Sequence, residues 1–454
     1  MTSLRELVES ARATLPEAPC ARWGTLLFSL SVLTFVISLA ASEAFLFAAA
    51  LSTAIHQLRA AAPEARPPSP AANALRFPFP PVRMAVGCFC LLTILSVFGA
   101  ANSAAGWPAV RKLVLFIVML LSVGLAGAPG LQELLYTGLF FASTVAGAVG
   151  VFQFAAEYRT VKAAHPGEVY TYMSVSRIHG FMGHWMNFGG QQMLVFCLLL
   201  AYLLFSPPRG MGRIHGHEPE SRPQGEVKLG WLAFGVIALS IALNFTRGVW
   251  LGCFVAVVYL VGRRRPRWLL VLPLLIGLAI LAGPSLLRER MESLLHPTHD
   301  PSIAIRLEMW QVAVRVIRAH PWLGVGPNNI GRDYLLYLAR AKSPVVGYHE
   351  HFHNNLLQIG AERGLACLAA WLWMMVALLW GLLRLRRPSA DRPRDPSPDG
   401  LRQGTPQWII EGAIAAWLAF ISEGFFEFNF GTSPVLMVFL FVVSVPFARP
   451  GRHE

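Results

Sequence analysis

Charge is scarce in this chain. Of its 454 residues only 14% are Asp, Glu, Lys or Arg, while 55% are hydrophobic; soluble domains carry about a quarter charged. That shortage excludes an ordinary water-soluble globule and implies a membrane protein. Acidic residues are the rarer sign, 25 against 38 Lys and Arg, for a net charge of +13. Cysteine is sparse too. Cys20, Cys88, Cys90, Cys197, Cys253 and Cys367 lie in or beside apolar runs, so neither a disulfide framework nor a CxxC metal site is implied. The CxC of Cys88 and Cys90 reads as packing. Internal repeats are missing, which removes the inverted-repeat signature of many secondary transporters. Residues 1–22 are polar with mixed charge and lack a signal-peptide layout; Leu4, Leu7, Val8 and Ala11 would share one side of a short surface helix.

What is present is a succession of apolar runs near the roughly 20 residues that cross a bilayer. They predict an all-α polytopic membrane protein of about twelve transmembrane helices, over residues 24–41, 43–58, 82–101, 109–127, 131–155, 186–205, 229–243, 249–261, 268–282, 353–383, 407–421 and 434–445. The expected organisation is a cytoplasmic segment 1–22, helices one to nine within 23–282, an outer helical domain 283–352, helices ten to twelve within 353–448, and a cytoplasmic tail 449–454. In the outer insert, Ile303, Leu307, Trp310, Val314 and Ile317 recur at helical spacing, "HPWLGVGPNN" ends that helix, and a second helical stretch covers 330–342. Residues 61–81, 207–228 and 388–406, rich in Pro, Arg, Gly and Ser, read as connectors.

Most of the Lys and Arg fall on the side that this order assigns to the cytoplasm, including "GRRRPR" at 262–267 and "RLRRPSADRPR" from Arg384, as the positive-inside rule expects. The net charge therefore needs no nucleic-acid partner. The informative cations are those the rule leaves on the other side. Arg111 and Lys112 end the fourth span, Arg247 occupies a tight turn in "NFTRGVW", Arg306 begins the insert's helix, and Arg177, His179 and His184 sit in "SRIHGFMGHWMN". Any one could snorkel to lipid headgroups or pair locally. Several guanidinium groups on one side of a membrane also suit bidentate capture of a phosphate.

The stretch "YHEHFHNNLL" contains His349, Glu350 and His353 in HExxH order. A zinc protease needs that motif on a helix and a third ligand. Gly347 and Phe352 interrupt it, and the apolar helix begins only near His353. An extended segment would instead align His349, His351 and His353 on one face, with Glu350 or Glu362 completing a site. The expectation is no metal. His353, followed by Asn354 and Asn355 at the start of a long apolar span, is a polar residue held at a membrane interface, and Asn354 is also a good helix-start cap.

These parts resemble the O-antigen ligase and polymerase superfamily of bacterial envelope glycosyltransferases. The resemblance is densest over 306–368, with Arg306 ahead of Trp310, "HPWLGVGPNNI", Tyr334 and Tyr337, and "HFHNNLLQIGAERGLACL"; upstream, "RIHGFMGHWMNFGG" and "NFTRGVWLG" are similar to further family segments, Thr246 standing where Ser is common. The resemblance implies an O-antigen ligase in the inner membrane. It would transfer polysaccharide from undecaprenyl diphosphate to a lipid A-core sugar hydroxyl at the periplasmic face, with inversion, no cofactor and no metal. Both termini would be cytoplasmic and lipids would surround the spans. His353 matches the catalytic histidine, Arg247 the turn arginine and Arg306 the arginine before the insert's Trp; Arg111, Lys112, Arg177, His184 and Asn354 are candidate substrate contacts. A polymerase or protein O-oligosaccharyltransferase would share the donor. An HExxH protease or a transporter would not form a glycosidic bond.

Overall fold

The computed structural model describes residues 4–60, 79–206, 224–274, 277–278, 286, 288–290, 301–338, 350–386 and 405–448. Among them the chain is all-helical, without strands. In chain order the elements are α1 (Leu4–Ala13), α2 (Pro19–Thr34), α3 (Leu39–Ala60), α4 (Arg83–Phe98), α5 (Ser103–Lys112), α6 (Ile117–Leu125), α7 (Pro129–Ala164), α8 (Val169–Val175), α9 (Trp185–Phe205), α10 (Gln224–Leu243), α11 (Arg247–Arg264), α12 (Pro301–Ala319), α13 (Ile330–Tyr337), α14 (Asn355–Arg386), α15 (Gln407–Gly424) and α16 (Ser433–Ser444). Proline opens α2 and α7 at a position where no backbone N–H is needed.

Among the described residues five helices are long and apolar enough to cross a membrane: Leu39–Arg59, Ser103–Leu125, Pro129–Ala164, Trp185–Phe205 and Asn355–Arg386. Shorter apolar helices run over Arg83–Phe98, Val227–Leu243 and Ser433–Phe447. Two expectations change in detail. The first expected span, 24–41, is divided, because α2 stops at Thr34 and α3 starts at Leu39 after a turn. Of the ninth, 268–282, residues 275–276 and 279–282 lie outside the described residues. The tenth is broken inside α14 at Gly364, whose φ of 80° and ψ of 170° suit glycine alone. A Cβ there would overlap the Trp322 carbonyl. The backbone of the loop after α12 supplies the partners that the break exposes. Val325 and Gly326 donate to the Ala361 and Glu362 carbonyls at 3.0 and 2.8 Å, and the Leu365 N–H donates to the Pro321 carbonyl at 2.7 Å.

The helical pattern expected over 303–317 holds, within α12. Met309, Val312, Ala313 and Val316 are buried, with Val325, Ile330, Tyr334, Phe352 and Ala361. Of the residues that recur at helical spacing, Leu307 and Val314 are exposed. This helix carries apolar residues on two sides, so periodicity alone leaves its phase open.

At the centre stands α9, 83% of whose apolar window is buried. It packs on α15, α11, α10, α16 and α7. Opposite ends of these helices differ in character. One end carries Arg247, His353 and Gly424. The other carries Arg263, Arg386 and the buried Glu411, which accepts a hydrogen bond from the Tyr259 hydroxyl and lies 3.5 Å from Arg263.

Candidate functional site

The turn between α10 and α11 assembles the first half of the site. Phe245 turns the chain with a φ of 55°. Fully buried Asn244 donates from Nδ2 to the carbonyls of Ile178 and Trp185, at 3.0 and 3.1 Å. One amide thus ties the Arg247 turn to the segment of Arg177 and His184. From the other side Arg290 donates to the Phe245 carbonyl through Nε and Nη2, at 3.2 and 3.1 Å. The result is a cluster of guanidinium groups. Burial pushes Arg177 down to about 10, and the charges of Arg290, Arg306 and Arg247 push in the same direction. Arg177 also stacks on Trp185, 5.5 Å from the ring centroid, and donates from Nε to the Ser174 carbonyl at 2.7 Å.

This staple carries a prediction. Asn244→Leu would leave two buried carbonyls without a donor, lowering stability by about 1–3 kcal/mol. It should also reduce turnover by on the order of tenfold, because the arginines would no longer share one register. Thermal unfolding in detergent and any assay of the site read these two effects separately.

His353 forms the second half. Its backbone is left-handed, with a φ of 47°, which a non-glycine residue adopts only where its neighbours hold it. Phe352 supplies the hold. Its carbonyl accepts from Trp310 Nε1 on α12 at 3.1 Å, and its N–H donates to Gln358 Oε1 at 2.7 Å. Two asparagines then fasten α14 to the loop after α15. Asn354 Oδ1 caps the helix by accepting from the Leu357 N–H at 3.0 Å, and Nδ2 donates to the Phe425 carbonyl at 2.9 Å. Asn355 donates to Asn429 Oδ1 at 2.7 Å and accepts from the Phe430 N–H at 3.2 Å.

That zip delivers Glu427 to His353. Nδ1 lies 3.0 Å from both carboxylate oxygens. Burial pushes the Glu427 carboxyl up, but the His353 hydrogen bond and charge, the Phe428 N–H and the charge of Arg306 outweigh it and leave the group below the usual carboxylate value. A carboxylate accepting from Nδ1–H leaves Nε2 as the proton-accepting nitrogen. His184 stands nearby, accepting from the Met186 N–H at Nδ1. Burial pushes its imidazole down, Glu427 pulls it up, and Arg177 and His353 push it down again. The two halves therefore meet: Arg306 acts on both Arg177 and Glu427, and His184 on neither side alone.

A cavity of about 590 Å³ opens beside His353, lined also by Glu427, His184, Trp185, Lys112 and Arg363. The sequence candidates divide around it. His353 and His184 line it, while Arg177, Arg247 and Arg306 form the cluster behind. Lys112 lines the cavity away from that cluster, with Arg111, Glu362, Arg363 and Glu43 as its charged neighbours and Nζ 2.7 Å from the Gly431 carbonyl. Asn354, offered as a sugar contact, has both ends of its amide engaged in the cap and the zip. Residues 350–354 precede the helix and do not form the helical turn that HExxH needs, and His349 lies outside the described residues. Glu362 is taken by the Asn328 N–H and Gln358.

Glu427, Arg290 and Arg363 were not singled out from sequence. For Glu427 a signal existed, since "EGFFEFNFG" places two carboxylates between apolar spans, where ionisable groups are functional by default. Arg290 offered none, because "LLRERMESLL" alternates charge as any exposed helix does.

Residues 232–372 match the family model described as O-antigen ligase. The matched segment holds Arg247, Arg290, Arg306, His353 and Arg363, and excludes Lys112, Arg177, His184 and Glu427. No curated protein matches the chain.

Proposed function

We propose, from the match of residues 232–372 to the O-antigen ligase family model, that the chain is an O-antigen ligase. It moves polysaccharide from undecaprenyl diphosphate to a lipid A-core sugar hydroxyl. The observation that carries this reading is the His353–Glu427 pair set against the cluster of Arg177, Arg247, Arg290 and Arg306.

The chemistry follows from those groups. Glu427 accepts the Nδ1 proton and orients the ring, so Nε2 of His353 takes the proton of the acceptor hydroxyl as its oxygen attacks the anomeric carbon. The carbon–oxygen bond to the diphosphate breaks on the opposite face, which inverts the configuration. The departing lipid diphosphate carries the negative charge, and the arginines stabilise it as it develops. These residues supply a base and charge stabilisation without a metal.

The end of the bundle that bears Arg263, Arg264, Arg384 and Arg386 suits the cytoplasmic side. His353 then faces the periplasm, where a polyprenyl tail remains in lipid while its diphosphate reaches the interface. Acceptor identity separates a ligase from a polymerase or a protein O-oligosaccharyltransferase. The test is reconstitution of the purified full chain in nanodiscs with a defined undecaprenyl diphosphate-linked glycan and a lipid A-core acceptor. Glycosylated lipid A-core is the expected product. Absence of any glycosidic product with these acceptors would remove the transferase reading, and product only on a second carrier-linked glycan would make it a polymerase.

A further inference from the structure

The cavity beside His353 has a cationic end that the donor arginines do not explain. Arg363 is 8% exposed and lines it. Its guanidinium lies 5.8 Å from the Phe89 ring centroid, and Nη2 is 3.6 Å from Glu362 Oε2. Among the described residues, Nε and Nη1 have no hydrogen-bond partner and are buried. Buried N–H groups of an ionised side chain are ordinarily satisfied, and leaving two open is unfavourable unless a ligand completes them. Glu362 gives limited relief, because its Oε1 already accepts from the Asn328 N–H and Gln358.

Lys112 approaches the same space from α5. Its ammonium has three protons, of which one serves the Gly431 carbonyl at 2.7 Å. Lys112 and Arg363 stand close enough for their like charges to act on one another. Two adjacent cations facing one cavity are best balanced by an anion between them. The rest of the wall is mixed, as a saccharide needs: Phe89, Phe116 and Phe430 line it with aromatic rings, and Asn187 and Asn328 add side-chain amides, although Asn328 Nδ2 already donates to the Ala105 carbonyl at 3.0 Å. The volume is that of a small-ligand site.

Position decides which substrate enters. The donor cluster of Arg177, Arg247, Arg290 and Arg306 is not part of this wall, whereas His353 and Glu427 are. The base therefore stands between two cationic sites. We infer that the end formed by Lys112 and Arg363 is an acceptor subsite that reads an anionic substituent, a phosphate monoester or a carboxylate, on the sugar receiving the glycan. The inference rests on the proposed transferase reading for its word "acceptor" and on the cavity alone for its anion.

Two measurements test it. In the first, glucose 6-phosphate, glucuronate and glucose are titrated into the full chain in nanodiscs and followed by calorimetry. The phosphate or the carboxylate sugar should bind, and glucose should bind about 10- to 100-fold more weakly, the weight of a charge-assisted pair. Whichever anion prevails names the substituent. Arg363→Gln and Lys112→Gln should each remove that preference and Arg363→Lys restore part of it. Lys112 is exposed, so its variant remains informative if an Arg363 variant fails to fold.

The second measurement is transfer kinetics with charged and neutral acceptors of one skeleton. Each Gln variant should raise KM for the anionic acceptor by about 10- to 100-fold and leave the donor KM and the neutral acceptor unchanged. Equal binding of the three sugars to the wild type would overturn the subsite. So would a Gln variant that raises the donor KM, or one that weakens charged and neutral acceptors alike. Sugar-anion binding without glycosidic product would sink the transferase reading and leave the anion site standing.

Discussion

His353→Ala is expected to reduce glycan transfer by about 10²- to 10⁴-fold, the range a positioned general base supplies. The loss should fall on kcat, because the arginines proposed to hold the donor diphosphate are untouched. Alanine also tolerates a φ of 47° poorly, so a second variant separates chemistry from folding. Asn accepts the left-handed backbone and can still donate to Glu427, yet it has no basic nitrogen. His353→Asn should match the alanine variant in activity while remaining closer to wild type in thermal stability. Glu427→Gln should leave a residual rate with an altered pH profile, since a neutral amide no longer holds the proton on Nδ1. Transfer within tenfold of wild type in His353→Asn would show that another group is the base.

The second large effect concerns the leaving group. Arg247→Gln should lower kcat by on the order of 10²- to 10³-fold, as for removal of one donor to a developing oxyanion, and raise the donor KM with it. Arg247→Lys should recover only part, because a point charge does not reproduce a bidentate fork. Pyrophosphate gives a check that needs no turnover. An anion that binds only the folded protein raises its melting temperature, so pyrophosphate should stabilise the wild type and stabilise Arg247→Gln less. The same shift in both proteins would take Arg247 out of the diphosphate site.

Much of this arrangement could be read from the chain, and the remainder has identifiable reasons. Arg247 and Arg306 stood out because a membrane protein places cations on that side only with cause, and His353 because a polar residue opened a long apolar span. What the sequence concealed is pairing across distance. Glu427 lies beyond the family segment, and nothing local shows that Asn354 and Asn355 will fasten their helix to its loop. The break at Gly364 was hidden for a similar reason: apolar residues continue on both sides of it, and only the approach of the Trp322 carbonyl demands glycine. The inward face of α12 is likewise hidden, because the exposed Leu307 and Val314 are as apolar as the buried Met309 and Val312.

The knots that hold the site together are amides. Asn244 binds two loops, and Asn354, Asn355 and Asn429 close the seam beside the base. Amide bonds carry no net charge, so ionic strength does little to loosen them, whereas it acts on the cations that they position. A salt titration of this protein thus reads the grip on its substrates against a frame that stays still.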